Sequence, residues 1–119
     1  MKDEKIYHIT SRGEWEAALK AGEYRADSLD TEGFIHASTR EQVVRTAEKY
    51  YHGQQGLVLL EIASAKVEVE IKYEDLVGAG MLFPHIFGAL PVKAVSGWAD
   101  FSPADDGSFC FPTQFQPVI

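Results

Sequence analysis

Twice within its first 41 residues the chain runs from a short β-forming segment that carries a histidine straight into a Ser-x-x-Glu capping box. The first instance is Ile6–Thr10, followed by Ser11 and Glu14. The second is Gly33–Ala37, followed by Ser38 and Glu41. In such a box the serine and glutamate side chains each satisfy a backbone N–H, one of them an orphan of the first helical turn. Each unit therefore reads as strand, corner, helix. Alternation along the first strand puts Ile6, His8 and Thr10 on one face and Tyr7 and Ile9 on the other. In the second strand Phe34 and His36 share a face.

The rest of the pattern extends this beginning. Trp15, Ala18 and Leu19 stripe the first helix, and Gly22 ends it. The polar stretch Glu23–Glu32 reads as a loop with Arg25 and Asp27 exposed. Val43, Val44, Ala47, Tyr50 and Tyr51 recur at helical spacing, which predicts a helix over Thr39–Tyr51. Leu57–Ile62 is almost wholly apolar and reads as a central strand. Val67–Tyr73 alternates, with Val67, Val69, Ile71 and Tyr73 expected inward. Gly78–Met81 reads as a loop. The run LFPHIFGALP contains Pro84 and Gly88, so no regular element is expected there. Val92–Phe101 is the last expected strand, with a bulge at Gly97. Phe109, Phe111 and Phe115 suit a tail packed back on the body. The order β-α-β-α and then several strands predicts the α+β class. At 119 residues with no linker or repeat, residues 1–119 are expected to form one domain.

Charge and cysteine usage narrow the function classes. The net charge of −7 repels a phosphate backbone, so a small nucleotide is a better partner than extended nucleic acid. The single cysteine, Cys110, leaves no internal disulfide or multi-cysteine zinc site and suits a reducing cytoplasm. MKDEKIYH has no apolar signal core, and no run approaches the ~18 apolar residues of a membrane span. The expectation is a soluble, cytoplasmic protein.

Four histidines carry the chemical interest. His52 follows a helix end, where an imidazole interacts favourably with the last carbonyls. His8, His36 and His85 each sit in apolar sequence, where an unpaired imidazole is costly to bury. A single such histidine is explained by a hydrogen bond to the backbone. Three in a short chain suggest a shared cleft, with His8 and His36 ending strands that neighbour each other. Ser38 reads first as an N-cap, and the helix start at Ser38–Arg40 second as an anion site. Arg40 could pair a phosphate bidentately. Glu74 reads as a solvated strand end or as a base and ribose-hydroxyl acceptor. Zinc on His8, His36 and His85 remains an alternative, although no two histidines have helical ligand spacing.

The segments IYHITSRGEWEAAL, YRADSLDTEGFIHAST, LVLLEI, IKYED and FPHIFGALPVKAV resemble a bacterial family known as a domain of unknown function, the nine-five-two family. The resemblance runs from about Ile6 to Phe109. More distantly, IYHIT, GFIHAST, the helix and LVLLEIASAKV are similar in order to the RNA 2′-phosphotransferase branch of the ADP-ribosyltransferase-like superfamily. That likeness implies a small split, mostly antiparallel β-sheet cradling NAD, with two or more helices packed on it. It implies an NAD- or nucleotide-binding protein that transfers ADP-ribose or a 2′-phosphate. His8 and His36 take the places of the two strand histidines, and Ser38 follows His36 as serine does in the branch. His8, His36, His85 and Glu74 are the expected catalytic groups, His85 from the bacterial family's own FPHIFG motif and without a counterpart in the branch. Thr10, Ser38, Thr39, Arg40 and Phe87 are expected to contact NAD, with Tyr7, Phe34 and Phe83 as further apolar walls. No metal is expected in this reading. Ile9 stands where the branch has glycine, the branch's arginine clamp has no counterpart beyond Arg25 and Arg40, and Glu74 precedes a loop rather than sitting in a Glu-x-Glu on the corresponding strand. These departures keep a non-catalytic small-ligand or protein-binding module open as an alternative.

Overall fold

The computed structural model describes residues 4–76, 78 and 80–115. Residues 1–3 of the N-terminal segment and Ala79 of the expected loop lie outside the described residues. Strand β1, Lys5–Ser11, runs into helix α1, Arg12–Ala21, and the first capping box forms. Ser11 Oγ accepts the Glu14 N–H at 3.1 Å. The Glu14 carboxylate does not turn back to Ser11; it accepts the Thr10 hydroxyl at 2.9 Å. Gly22 closes the helix at φ +88°, the left-handed region that a side chain would strain.

The second box forms one residue out of step. Both backbone groups of Ser38 are taken by Tyr7, each bond 2.8 Å long. Ser38 is therefore a strand residue, and its hydroxyl donates to Thr46 rather than capping a helix. The Thr39 N–H is instead taken by Gln42 Oε1 at 2.9 Å, and helix α3 spans only Val43–Tyr50. The expected Thr39–Tyr51 helix is thus shorter at its start, because sheet pairing outcompetes the serine cap. Its predicted stripe still packs: Val43 and Ala47 are buried, and only Tyr50 turns out to solvent.

Strand β4, Leu57–Ala63, is central as expected, lying between β1 and β8, Val95–Asp100. Both pairings are antiparallel. Glu61 faces Gly97 and Ile62 faces Val95, so Ser96 is the extra residue of a bulge beside Gly97. A second sheet has the order β3, Ile35–His36; β6, Phe83–Ile86; β5, Ile71–Glu74. Strand β6 corrects the expectation of an irregular 82–91 segment. Pro84 sits in it without breaking it, because its carbonyl takes the Ala37 N–H while the bond it cannot donate falls at the end of the β3 ladder. The expected strand Val67–Tyr73 shrinks to Ile71–Glu74, and Tyr73 is exposed. The supposed loop 23–32 holds strand β2, Glu23–Tyr24, and helix α2, Asp27–Thr31. Strand β2 pairs with β7, Leu90–Pro91.

Two apolar layers flank the first sheet. Ile6, Trp15, Leu60, Ile35 and Ile86 fill one, between the sheets and α1. Tyr7, Ile9, Val43, Leu59, Phe101 and Phe109 fill the other, beneath α3 and the tail. Among the described residues the architecture is α+β, with antiparallel sheets and three α-helices. Ile86 is fully buried in the middle of the second sheet. Ile86→Ala is expected to lower unfolding stability by roughly 2–5 kcal/mol, and Ser11→Ala by about 1 kcal/mol. Urea denaturation checks both, and equal losses would contradict this ranking of core against cap.

Candidate functional site

The Tyr7–Ser38 bridge brings the end of β3 alongside β1, and a cleft of about 740 Å³ opens where the two sheets diverge. His8, His36 and His85 all line it, as do Thr10, Ser38 and Glu74. The three histidines have different surroundings.

His8 is buried on the floor. Its Nδ1 bonds to the backbone carbonyl of His36, and its Nε2 lies 2.8 Å from the Tyr24 hydroxyl. A carbonyl only accepts, so Nδ1 carries a hydrogen. Burial pushes the imidazole pKa down from 6.5 to about 4, which keeps the ring neutral and leaves Nε2 as an acceptor. Burial likewise raises the Tyr24 phenol to about 12, so it stays a donor. Tyr24 also lies 3.0 Å from Thr10 Oγ1, and Thr10 bonds Glu14. One phenolic hydrogen therefore serves two acceptors, and a continuous polar chain links His8 to the exposed Glu14 carboxylate.

His36 and His85 face each other across the β3–β6 ladder, with ring centroids 5.4 Å apart. His36 is open to solvent, and its Nε2 is 3.2 Å from both oxygens of Glu32. His85 is 4% exposed and stacks on Phe34 at 4.2 Å. Its Nδ1 bonds Glu74 Oε1 at 2.8 Å. Its Nε2 has no hydrogen-bond partner among the described residues, on a side chain that lines the cleft. A carboxylate on Nδ1 holds the hydrogen there and leaves Nε2 as the basic nitrogen.

Thr39, Arg40 and Phe87 are not among the lining residues. Arg40 lies over the Phe111 ring at 4.3 Å and donates to the Phe115 carbonyl at 2.9 Å, so it fastens the tail. Thr39 is absorbed in the turn before α3. Phe87 packs on Phe34 and carries Lys72 over its ring at 5.0 Å. Arg25 is exposed beside Glu23. Tyr7 and Phe83 line the cleft as expected, whereas Phe34 is stacked behind His85.

Several lining groups were not foreseen. Tyr24 fell in a stretch too polar for a periodic signal. Glu14 was visible only as a cap, and Glu32 only as the residue four before His36. Together with Asp27 and Glu74 they give the cleft four carboxylates, with no lysine or arginine among the described residues lining it. The described residues also contain no group of three His, Cys, Asp or Glu placed to share a metal ion, so the zinc alternative loses its geometric support. No helix among them is long and apolar enough to cross a membrane.

The family described as Protein of unknown function (DUF952) matches residues 9–98. The crystal structure of protein CC0527 from Caulobacter crescentus is 37% identical, with a TM-score of 0.80 over 89% of this chain and 93% of that one. The solution structure of the same protein is 38% identical, with a TM-score of 0.77 over 87% and 90%. No curated protein matches the chain.

The buried His8 couples this floor to pH. Its folded pKa of about 4 lies below the ordinary 6.5, so between those values the unfolded chain binds the extra proton. The stability held by neutral His8 is complete above ~6.5 and lost as the pH falls toward ~4, in all roughly 3 kcal/mol. Urea unfolding of the wild type and His8→Asn across this window is expected to show a steeper acid loss in the wild type. Parallel curves would contradict it.

Proposed function

The chain belongs to the family described as Protein of unknown function (DUF952), and from this premise we propose that its cleft binds a ribosyl ligand and catalyses transfer at the anomeric carbon, as the ADP-ribosyltransferase-like resemblance implies. The observation that carries the reading is the Glu74–His85 pair, with an unpartnered Nε2 on a nearly buried ring in the cleft wall. An imidazole held this way is a general base with its orientation fixed in advance.

The residue types suit the chemistry. An acceptor O–H gives its proton to His85 Nε2 as its oxygen bonds C1′. The C1′–N bond breaks, and its electron pair leaves with the base. Positive charge develops on the ribose in this step. Carboxylates placed around the cleft stabilise that charge where it gathers on the ribose. Glu14 and Glu32 both line the cleft and can also accept from ribose hydroxyls. The divergence of the two sheets around a single bridge supports the split-sheet fold that the resemblance implies.

NAD fits this set only in part. Its nicotinamide-ribose end suits the aromatic and carboxylate lining. Its diphosphate does not, because Arg40 is committed to the tail and Ser38 is not at a helix start. A 2′-phosphate would need the same missing cations, so transfer at C1′ is the better of the two reactions. NAD is accordingly proposed as a donor read through its nicotinamide-ribose end, in the cytoplasmic setting that the thiol content suits.

Release of nicotinamide from NAD and from its N-riboside, followed by chromatography, tests the reading. Wild-type protein is expected to release it. Glu74→Gln, which replaces the acceptor on Nδ1 with an amide able to donate, is expected to slow release by roughly 100-fold with the fold intact. Binding without any release would leave the chain a binding module, and unimpaired Glu74→Gln would remove His85 as the base.

A further inference from the structure

We propose that the cleft selects a positively charged, phosphate-free N-riboside, a pyridinium nucleoside, over the phosphorylated forms of the same compound. This rests on the ribosyl reading of the cleft and names its substrate class.

Charge and shape point the same way. Glu14, Asp27, Glu32 and Glu74 line the cleft with no lysine or arginine among its described lining residues. Glu32 and Glu74 are paired only with histidines, and neither Glu14 nor Asp27 is in an ion pair among the described residues. The nearby cation, Lys72, leans over Phe87 rather than into the cleft. A phosphate entering here meets like charge in a partly water-excluded hollow, where repulsion is less screened than in bulk solvent. A pyridinium ring meets the opposite sign. It also meets Tyr51 and Phe83, aromatic rings of the kind that attract a cation, while Tyr50 already carries Lys49 over its ring at 5.3 Å. The unpartnered His85 Nε2 marks the inner end where the reacting bond belongs. The volume, about 740 Å³, lies in the range of small-molecule sites.

The same carboxylates serve binding of the charged base and the transition state alike. The positive charge migrates from the pyridinium to the ribose as the C1′–N bond breaks, and the carboxylates meet it at both ends of that path. A neutral nucleoside of the same shape lacks the first of these gains.

Calorimetric titration of the intact protein with nicotinamide riboside, its 5′-monophosphate, NAD and the neutral dihydro form of the riboside tests the proposal. The cationic riboside is expected to bind about tenfold tighter than the monophosphate and the dihydro form, with the gap over the monophosphate narrowing in high salt. Asp27→Asn combined with Glu32→Gln is expected to shrink that gap to about threefold or less. A monophosphate or NAD that binds as tightly as the riboside overturns the selection while leaving the ribosyl reading in place. So does a dihydro form of equal affinity, or a gap that the double variant leaves unchanged. Failure of every ribosyl compound to bind overturns the ribosyl reading itself.

Discussion

Two backbone hydrogen bonds between Tyr7 and Ser38 join the halves of this molecule. On one side of them lies the β1–β4–β8 sheet with α3 and the tail; on the other lies the β3–β6–β5 sheet. The bridge is the backbone pairing between the sheets, whose apolar faces pack together on one side of it while the cleft opens on the other. The bridge also sets the neighbouring contact, in which the His36 carbonyl reaches His8. One residue thus supplies a backbone oxygen to the floor and a side chain to the wall. That economy explains why a histidine sits in an apolar run two residues before the bridging serine. The position serves the sheet with its main chain and the cleft with its ring.

Burial and charge are distributed unevenly around the cleft. The floor, with His8, Tyr24 and Thr10, is buried and hydrogen-bonded, and its imidazole is held neutral. The rim carries Asp27, Glu32 and Tyr50 in contact with water. Polar groups placed in a buried floor cost free energy unless every one is satisfied, and here each donor has a partner. The arrangement is rigid below and hydrated above, which suits a ligand held firmly at one end.

How much of this was legible in the sequence depended on whether the signal was local. Strand β1, helix α1, the central strand β4 and the aromatic tail followed from periodicity and a capping box, which are short-range features. The family and the convergence of His8, His36 and His85 were also within reach. The second capping box was misplaced by one residue because the competing partner, Tyr7, lies 31 positions earlier. Strand β6 was hidden by Pro84, whose tolerance depends on where a neighbouring strand ends. Tyr24 and Glu32 were missed for a similar reason. Their roles are set by partners on other elements, and their own stretch of chain is polar and aperiodic. Arg40 shows the converse, a residue next to the site in sequence but turned by a distant aromatic tail to the other side of the sheet.

The tail has a temporal meaning as well as a structural one. Tyr7 on β1 is sheltered by two rings far along the chain, Phe111 at 5.2 Å and Phe115 at 6.0 Å. During synthesis this strand therefore waits, one side uncovered, until the segment with Phe111 and Phe115 has emerged. Closing that gap is a long-range event, the kind that slows folding and leaves an apolar face available to chaperones in the meantime.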